Sequence, residues 1–266
     1  MYKACIFDLD GTLANTLRSI AKFANHALRD CGYPEIPVET YSRLVGNGRV
    51  RLLNNMLHTV APEGFAESEV ERVGQLYDAY YAADPGAEVT DYPGIRELLS
   101  DLHKAGLKIG VLSNKPDDMA HAVLKRFPSG TFDAAHGQRA GVPRKPAPDG
   151  ALLLAKELGV MPADCLYIGD TNTDMQTGAA AGMDTVGVLW GCRDRAELEA
   201  AHARAIAEAP RDVLRFALHG IRCARRKKGP GSGFASLKPA SRRRCRCFCV
   251  TWPILSSRSW RSSRRS

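Results

Sequence analysis

Two aspartates one residue apart, Asp8 and Asp10, follow the apolar residues Ile6-Phe7 and lead into Gly11-Thr12. In an extended strand, residues i and i+2 share a side, so both carboxylates leave the strand end together. Like charges that close repel unless a cation joins them. A hard divalent ion bound by oxygen would neutralise Asp8 and let a phosphoryl group, itself an anion, approach a carboxylate nucleophile. Gly11 lets the backbone turn sharply beyond the pair. Taken alone, the same residues also suit a strand that merely ends in a polar turn.

Three later clusters bear on that choice. Val111-Leu112-Ser113-Asn114-Lys115-Pro116 offers a hydroxyl, an amide and backbone N–H groups at a helix entrance, all suited to phosphate oxygens. Lys145 stands just before Pro146-Ala147-Pro148-Asp149, a proline-started helix, where it could bring a point charge to a carboxylate and a phosphate; a surface lysine has the same local look. Asp170 and Asp174 follow the apolar run Tyr167-Ile168-Gly169, where they could complete an oxygen-ligand Mg²⁺ site or simply open a helix.

The elements that must position these groups alternate along the first 218 residues, the signature of an α/β fold. Strands are predicted over Lys3–Leu9, Lys108–Leu112, Asp133–His136, Cys165–Ile168 and Thr185–Leu189, and helices over Glu97–Ala105, Asp117–Arg126, Pro148–Leu158 and Asp174–Ala181. In an open parallel sheet ligands sit beyond the carboxyl ends of the strands, which is where the polar clusters fall. Between Thr16 and about Glu88 no strand pattern is present. Amphipathic runs at Leu17–Leu28, Arg49–Leu57 and Glu67–Tyr81 predict a helical insert, with return hinges near Asp84-Pro85-Gly86 and Tyr92-Pro93-Gly94. Placed after the first strand, it would stand over the active end of the sheet and close on substrate.

Composition bounds the rest. With 266 residues, 44% of them hydrophobic, the chain can bury a sizeable core. The formal charge of +8 divides sharply: 14 of the 37 Lys and Arg lie from His219 onward with no Asp or Glu among them, leaving residues 1–218 net acidic. The eight cysteines are scattered or lie beyond residue 220, which suits reduced thiols, and Cys5 and Cys165 fall in central strands. The seven histidines show no ligand spacing, so no histidine metal site is expected. No apolar run is long enough for a membrane span and no signal-peptide pattern opens the chain, so a cytoplasmic setting is expected. Residues 219–266, rich in Arg, Ser and Cys with Trp252 and Trp260, carry too few apolar groups to offset ordering entropy and are expected to be disordered. The contrasting function is binding of nucleic acid or an anionic surface through this tail alone.

Taken together, Asp8-x-Asp10-Gly11-Thr12, Ser113-Asn114, Lys145 and Gly169-Asp170-x3-Asp174 resemble the haloacid dehalogenase superfamily of phosphohydrolases in order and spacing. The resemblance spans about residues 1–213. It implies a Rossmann-like parallel sheet core, residues 1–15 and 89–218, with an inserted α-helical cap, residues 16–88. It also implies Asp8 as nucleophile and Asp10 as the acid that protonates the leaving oxygen and then activates water. Asp10 discriminates, since the related dehalogenases lack this second Asp and the related ion pumps carry Thr there. Mg²⁺ would be held by the Asp8 carboxylate, the Asp10 main-chain carbonyl, Asp170 and Asp174. Ser113 and the Asn114 backbone would hold phosphoryl oxygens, and Lys145 would offset negative charge.

Ser113-Asn114-Lys115-Pro116, Lys145-Pro146-x-Pro148-Asp149 and Val45-Gly46-Asn47-Gly48 resemble the phosphoglycolate phosphatase branch. That implies a small phosphorylated metabolite as substrate, with Gly46, Asn47 and Gly48 as a cap specificity loop and Arg43, Arg49 or Arg51 as candidates to pair with a substrate carboxylate. Asn15 departs from the Asp that many relatives carry where the chain enters the cap. Another small ester, pyrophosphate, or the phosphoryl transfer of a sugar-phosphate mutase would use the same residues.

Overall fold

The computed structural model describes residues 1–221, so the disorder and nucleic-acid binding expected of the basic tail concern residues outside the described ones from 222 onward. In chain order the elements are β1 (Ala4–Phe7), β2 (Ala14–Asn15), α1 (Leu17–Asp30), α2 (Val38–Leu44), α3 (Arg49–Val60), α4 (Glu67–Ala83), β3 (Thr90–Asp91), α5 (Ile95–Lys104), β4 (Lys108–Pro116) and α6 (Asp117–Leu124). They continue with β5 (Ala134–Gln138), α7 (Asp149–Glu157), β6 (Cys165–Gly169), α8 (Asn172–Ala180), β7 (Asp184–Val188), α9 (Arg195–Ala200), β8 (Ala205–Ala207) and α10 (Pro210–His219).

Six strands form one parallel sheet in the order β5-β4-β1-β6-β7-β8. Every residue of β1 is buried, the pattern of a strand covered on both faces. Alternation divides its side chains: Cys5 and Phe7 join Val111, Ile168 and the α5 leucines on one face, while Ala4 and Ile6 join Leu112, Tyr167 and Leu154 of α7 on the other. Phe7 pairs with Val111 on one side and Ile168 on the other, so β1, β4 and β6 deliver the residues that follow to one level of the carboxyl edge. From β1 the chain steps outward through β4 and β5, then crosses back to β6 and proceeds the other way. Beside β1 the sheet therefore opens the crevice in which ligands of such folds bind.

The helices α1–α4 pack on one another around a second core that includes Phe23, Tyr41, Leu53, Met56 and Tyr81. On α1 the buried positions Ile20, Ala24, Ala27 and Leu28 follow helical spacing. Buried Asn25 grips both main-chain groups of Ile36 at 2.9 Å and accepts the Tyr41 hydroxyl at 2.7 Å, which pins the proline-flanked connection into α2. The two chain crossings between this helical unit and the sheet run side by side as β2 and β3, an antiparallel pair that the sequence reading left without structure. That reading also ends at the fifth strand. The structure adds β8 at the sheet edge and α10, and Ile221 still packs on the core, beyond the expected boundary at residue 218.

Candidate active site

Asp8 is the first residue beyond β1. Its N–H donates to the Ile168 carbonyl of β6 at 2.8 Å, and its Oδ1 accepts the Leu9 N–H at 2.7 Å, which holds a carboxyl group only 6% exposed at the sheet edge. Lys145 reaches the same place from the loop before α7. Its Nζ lies 2.8 Å from Asp8 Oδ1 and donates to Asp174 Oδ1 at 2.7 Å and to the Leu112 carbonyl at 3.2 Å, so three donors meet three acceptors. The Asn114 side chain clamps the Lys145 backbone, accepting its N–H at 2.9 Å and donating to its carbonyl at 3.1 Å. The end of β4 thereby sets where the ammonium stands.

Carboxylate oxygens of Asp8, Asp170 and Asp174 lie within 4.8 Å of one another and are buried, forming the metal-competent cluster among the described residues. Asp170 accepts the Cys192 N–H at 2.7 Å and the Thr12 hydroxyl at 3.2 Å, and Asp174 accepts the N–H and hydroxyl of Thr171 at 3.1 and 2.7 Å. Gly11, at φ 84°, passes so close that a Cβ there would stand 2.2 Å from Asp170 Oδ2, so both its backbone conformation and its lack of a side chain are required.

Burial, and then the charge of Asp174, push the Asp8 carboxyl well above the ordinary range, outweighing Lys145; the same two causes raise Asp170 to about 6. For Lys145 burial works downward, but Asp174 and Asp8 prevail and hold its ammonium firmly protonated. Three carboxylates against one ammonium leave two negative charges without a partner. Hard oxygen donors and that imbalance fit one divalent cation of the Mg²⁺ kind.

Asp10 is placed differently. Its carboxylate accepts the Thr16 hydroxyl at 2.7 Å and receives Lys115 Nζ on both oxygens at 2.9 and 3.1 Å. Its carboxylate stands outside the metal-competent cluster. Lys115 is buried but for 5% of its side chain and sits 4.8 Å from the centre of the Tyr81 ring. The sequence reading quoted Lys115 in a motif and gave it no role. Its signal was a charge two residues past Ser113 at a buried strand end, where a partner is needed.

A cavity of about 60 Å³ opens on Asp8, Ser113 and Lys145, with Leu52, Tyr77 and Met119 on its apolar side. Ser113 lies in its wall and accepts the Lys115 N–H at 3.1 Å. Gly46 and Gly48 also line it. At Gly46, φ 106°, a Cβ would meet Thr171 at 3.2 Å, so this loop approaches β6 and α8 closely. Asn47 accepts the Thr173 hydroxyl at 2.9 Å, and Arg193, which sequence reasoning missed, donates to the carbonyls of Ser42 and Val45, the latter at 3.0 Å. Arg49 lines the cavity but is engaged by Asp78 through two nitrogens at 2.7 Å, while Arg43 and Arg51 are exposed and lie off the cavity wall. Of the three arginines expected as partners for a substrate carboxylate, the structure brings Arg49 alone to the cavity wall.

A parallel sheet whose first strand ends in a buried aspartate, paired with a lysine and backed by two further aspartates, defines the Rossmann-like phosphohydrolases. Within that class the chain belongs to the haloacid dehalogenase-like hydrolases, whose family model matches residues 5–188. It is 32% identical over 190 residues to the phosphoglycolate phosphatase of Aquifex aeolicus, covering 71% of this chain and 85% of that one. A solved structure described as a phosphoglycolate phosphatase of Lactobacillus delbrueckii subsp. bulgaricus superposes with a TM-score of 0.76 at 31% identity, covering 81% of this chain and 98% of the other. The β-phosphoglucomutase of Clostridium difficile is similar at 26% identity and a TM-score of 0.64, covering 80% and 93%. The chain is a phosphatase of the phosphoglycolate phosphatase-like branch.

Proposed function

We propose that this phosphatase hydrolyses a small phosphate monoester, 2-phosphoglycolate, through an aspartyl-phosphate on Asp8 with Mg²⁺ as cofactor. The observation that carries this reading is the cavity of about 60 Å³ lined by Asp8, far below the roughly 300–1,000 Å³ of pockets for larger ligands. A cavity of that size favours a small ester over a nucleotide. In this reading Asp8 attacks phosphorus as the bond to the leaving oxygen breaks, and Asp10 donates a proton to that oxygen. Asp10 then takes a proton from the water that releases phosphate and restores Asp8. Lys145 offsets the charge on Asp8, and Ser113 and the Asn114 N–H receive phosphoryl oxygens. Mg²⁺ held by the Asp8, Asp170 and Asp174 carboxylates and the Asp10 carbonyl would supply the positive charge that lets one anion approach another. Residues 16–88 act as a cap over a core formed by 1–15 and 89–218, with Gly46, Asn47 and Gly48 as the loop that meets the substrate.

Phosphate release over a panel of 2-phosphoglycolate, pyrophosphate, sugar phosphates and nucleotides, with Mg²⁺ and an Asp8→Asn control, tests the reading. Expected are a preference for 2-phosphoglycolate and a loss on the order of 10⁴-fold or more in the variant. Near-normal turnover by Asp8→Asn would overturn the mechanism, and a preference for another ester would overturn the substrate.

A further inference from the structure

We infer that Lys115 is the specificity cation of this site: it binds a carboxylate that the substrate carries next to its ester oxygen, and so selects small acidic phosphate esters over neutral ones. The inference rests on the reading of Asp8 as nucleophile and Asp10 as proton donor to the leaving oxygen. In 2-phosphoglycolate the carboxyl carbon is separated from that oxygen by a single CH₂. Whatever stands beside the proton donor therefore also stands beside the carboxylate.

Lys115 is the residue in that place. Its Nζ holds Asp10 at 2.9 and 3.1 Å, and the residue lines the cavity from the end of β4. The other cations of the cavity wall are committed. Lys145 has its three N–H groups on Asp8, Asp174 and Leu112, and Arg49 is paired through two nitrogens to Asp78. An ammonium has three donors, and Lys115 spends two on Asp10. The buried Tyr81 ring lies 4.8 Å from the ammonium and backs it on the side away from the cavity wall. A neutral ester would leave the donors as they are, and sites built to bind a polar group discriminate strongly against ligands that lack it.

The test compares kcat/KM for 2-phosphoglycolate and for ethyl phosphate, which replaces the carboxylate by a methyl group, in the wild type, Lys115→Met and Lys115→Arg. Lys115→Met is expected to lose on the order of 10²-fold more on 2-phosphoglycolate than on ethyl phosphate, mainly through KM, while Lys115→Arg keeps the preference to within about tenfold. Equal losses on the two esters in Lys115→Met would overturn the inference and leave Lys115 as a support for Asp10. A wild type that prefers 2-phosphoglycolate with the preference intact in Lys115→Met would overturn the inference alone. A wild type indifferent to the carboxylate would overturn both this inference and the proposed substrate. Circular dichroism checks the fold of each variant, and Lys115→Gln, with the same expected loss, replaces the methionine variant if that one does not fold.

Discussion

At the scale of single residues, the site is a problem in charge. Asp8, Asp170 and Asp174 converge in a buried space with one ammonium to oppose them, which raises the folded-state pKa of Asp170 to about 6 by burial and by Asp174. A raised carboxyl binds more protons folded than unfolded, so its contribution is present below the unfolded pKa near 4 and is lost as pH rises through about 6. In metal-free buffer, Asp170→Asn is expected to be more stable than the wild type at pH 7 by up to about 3 kcal/mol, an advantage that disappears by pH 4. Thermal unfolding with and without Mg²⁺ checks this: Mg²⁺ should raise the wild-type Tm and leave the variant nearly unmoved. Lys145 holds Asp8 and Asp174 together, so Lys145→Met should cost on the order of 10²-fold or more in kcat with the secondary structure intact, measured by phosphate release beside circular dichroism. The aspartates were legible in the sequence because each lies within five positions of a strand end, and Lys145 because it precedes a proline-started helix. Their hydrogen bonds were not.

At the scale of elements, one loop links the two ends of the site. Between β7 and α9, the Cys192 N–H holds Asp170 while the next residue, Arg193, holds the carbonyls of Ser42 and Val45 in the helical unit. The groups that hold the helical unit and the group that places a metal-competent carboxylate are therefore neighbours in one loop. Arg193→Ala should raise KM by about 10- to 100-fold, the cost of losing charge-assisted hydrogen bonds, with kcat changing less. Hydrogen exchange should show the amides of 42–47 opening more readily in the variant, and unchanged exchange would separate Arg193 from closure. The strands around the site were readable as continuous apolar runs, since a strand buried on both faces has little choice of residue. The pair β2 and β3, two residues each, was not, because its pairing comes from two crossings brought together by folding. Likewise α2 is too short, at seven residues, for periodicity to show, and it depends on Asn25 and Tyr41 for its seating.

At the scale of the whole molecule, the parallel sheet is covered on one face by α5, α6 and α10 and on the other by α7 and α8, and the site exists only because both layers press β1, β4 and β6 into register. Leu154 of α7 is fully buried against Ile6 and Leu112, directly beneath the edge that carries Asp8 and Ser113. Leu154→Ala should cost about 2–5 kcal/mol of stability, read as a fall in Tm or in the denaturation midpoint, through lost burial and the cavity left behind.

The sequence by itself determined the fold class, five of the six strands of the main sheet in chain order, and which residue types, Asp8, Asp10, Ser113, Asn114, Lys145, Asp170 and Asp174, suit phosphate chemistry. Backbone alternation and turn chemistry act over a few residues and leave their mark there. Only the tertiary structure decided that Lys115 pairs with Asp10 across 105 positions, that Arg193 reaches Val45 across 148, and that Arg49 is already spoken for by Asp78. A lysine or arginine in a sequence carries its charge openly, but the partner it keeps is set by which chain segments burial brings together, and only there is an unpaired charge too costly to leave.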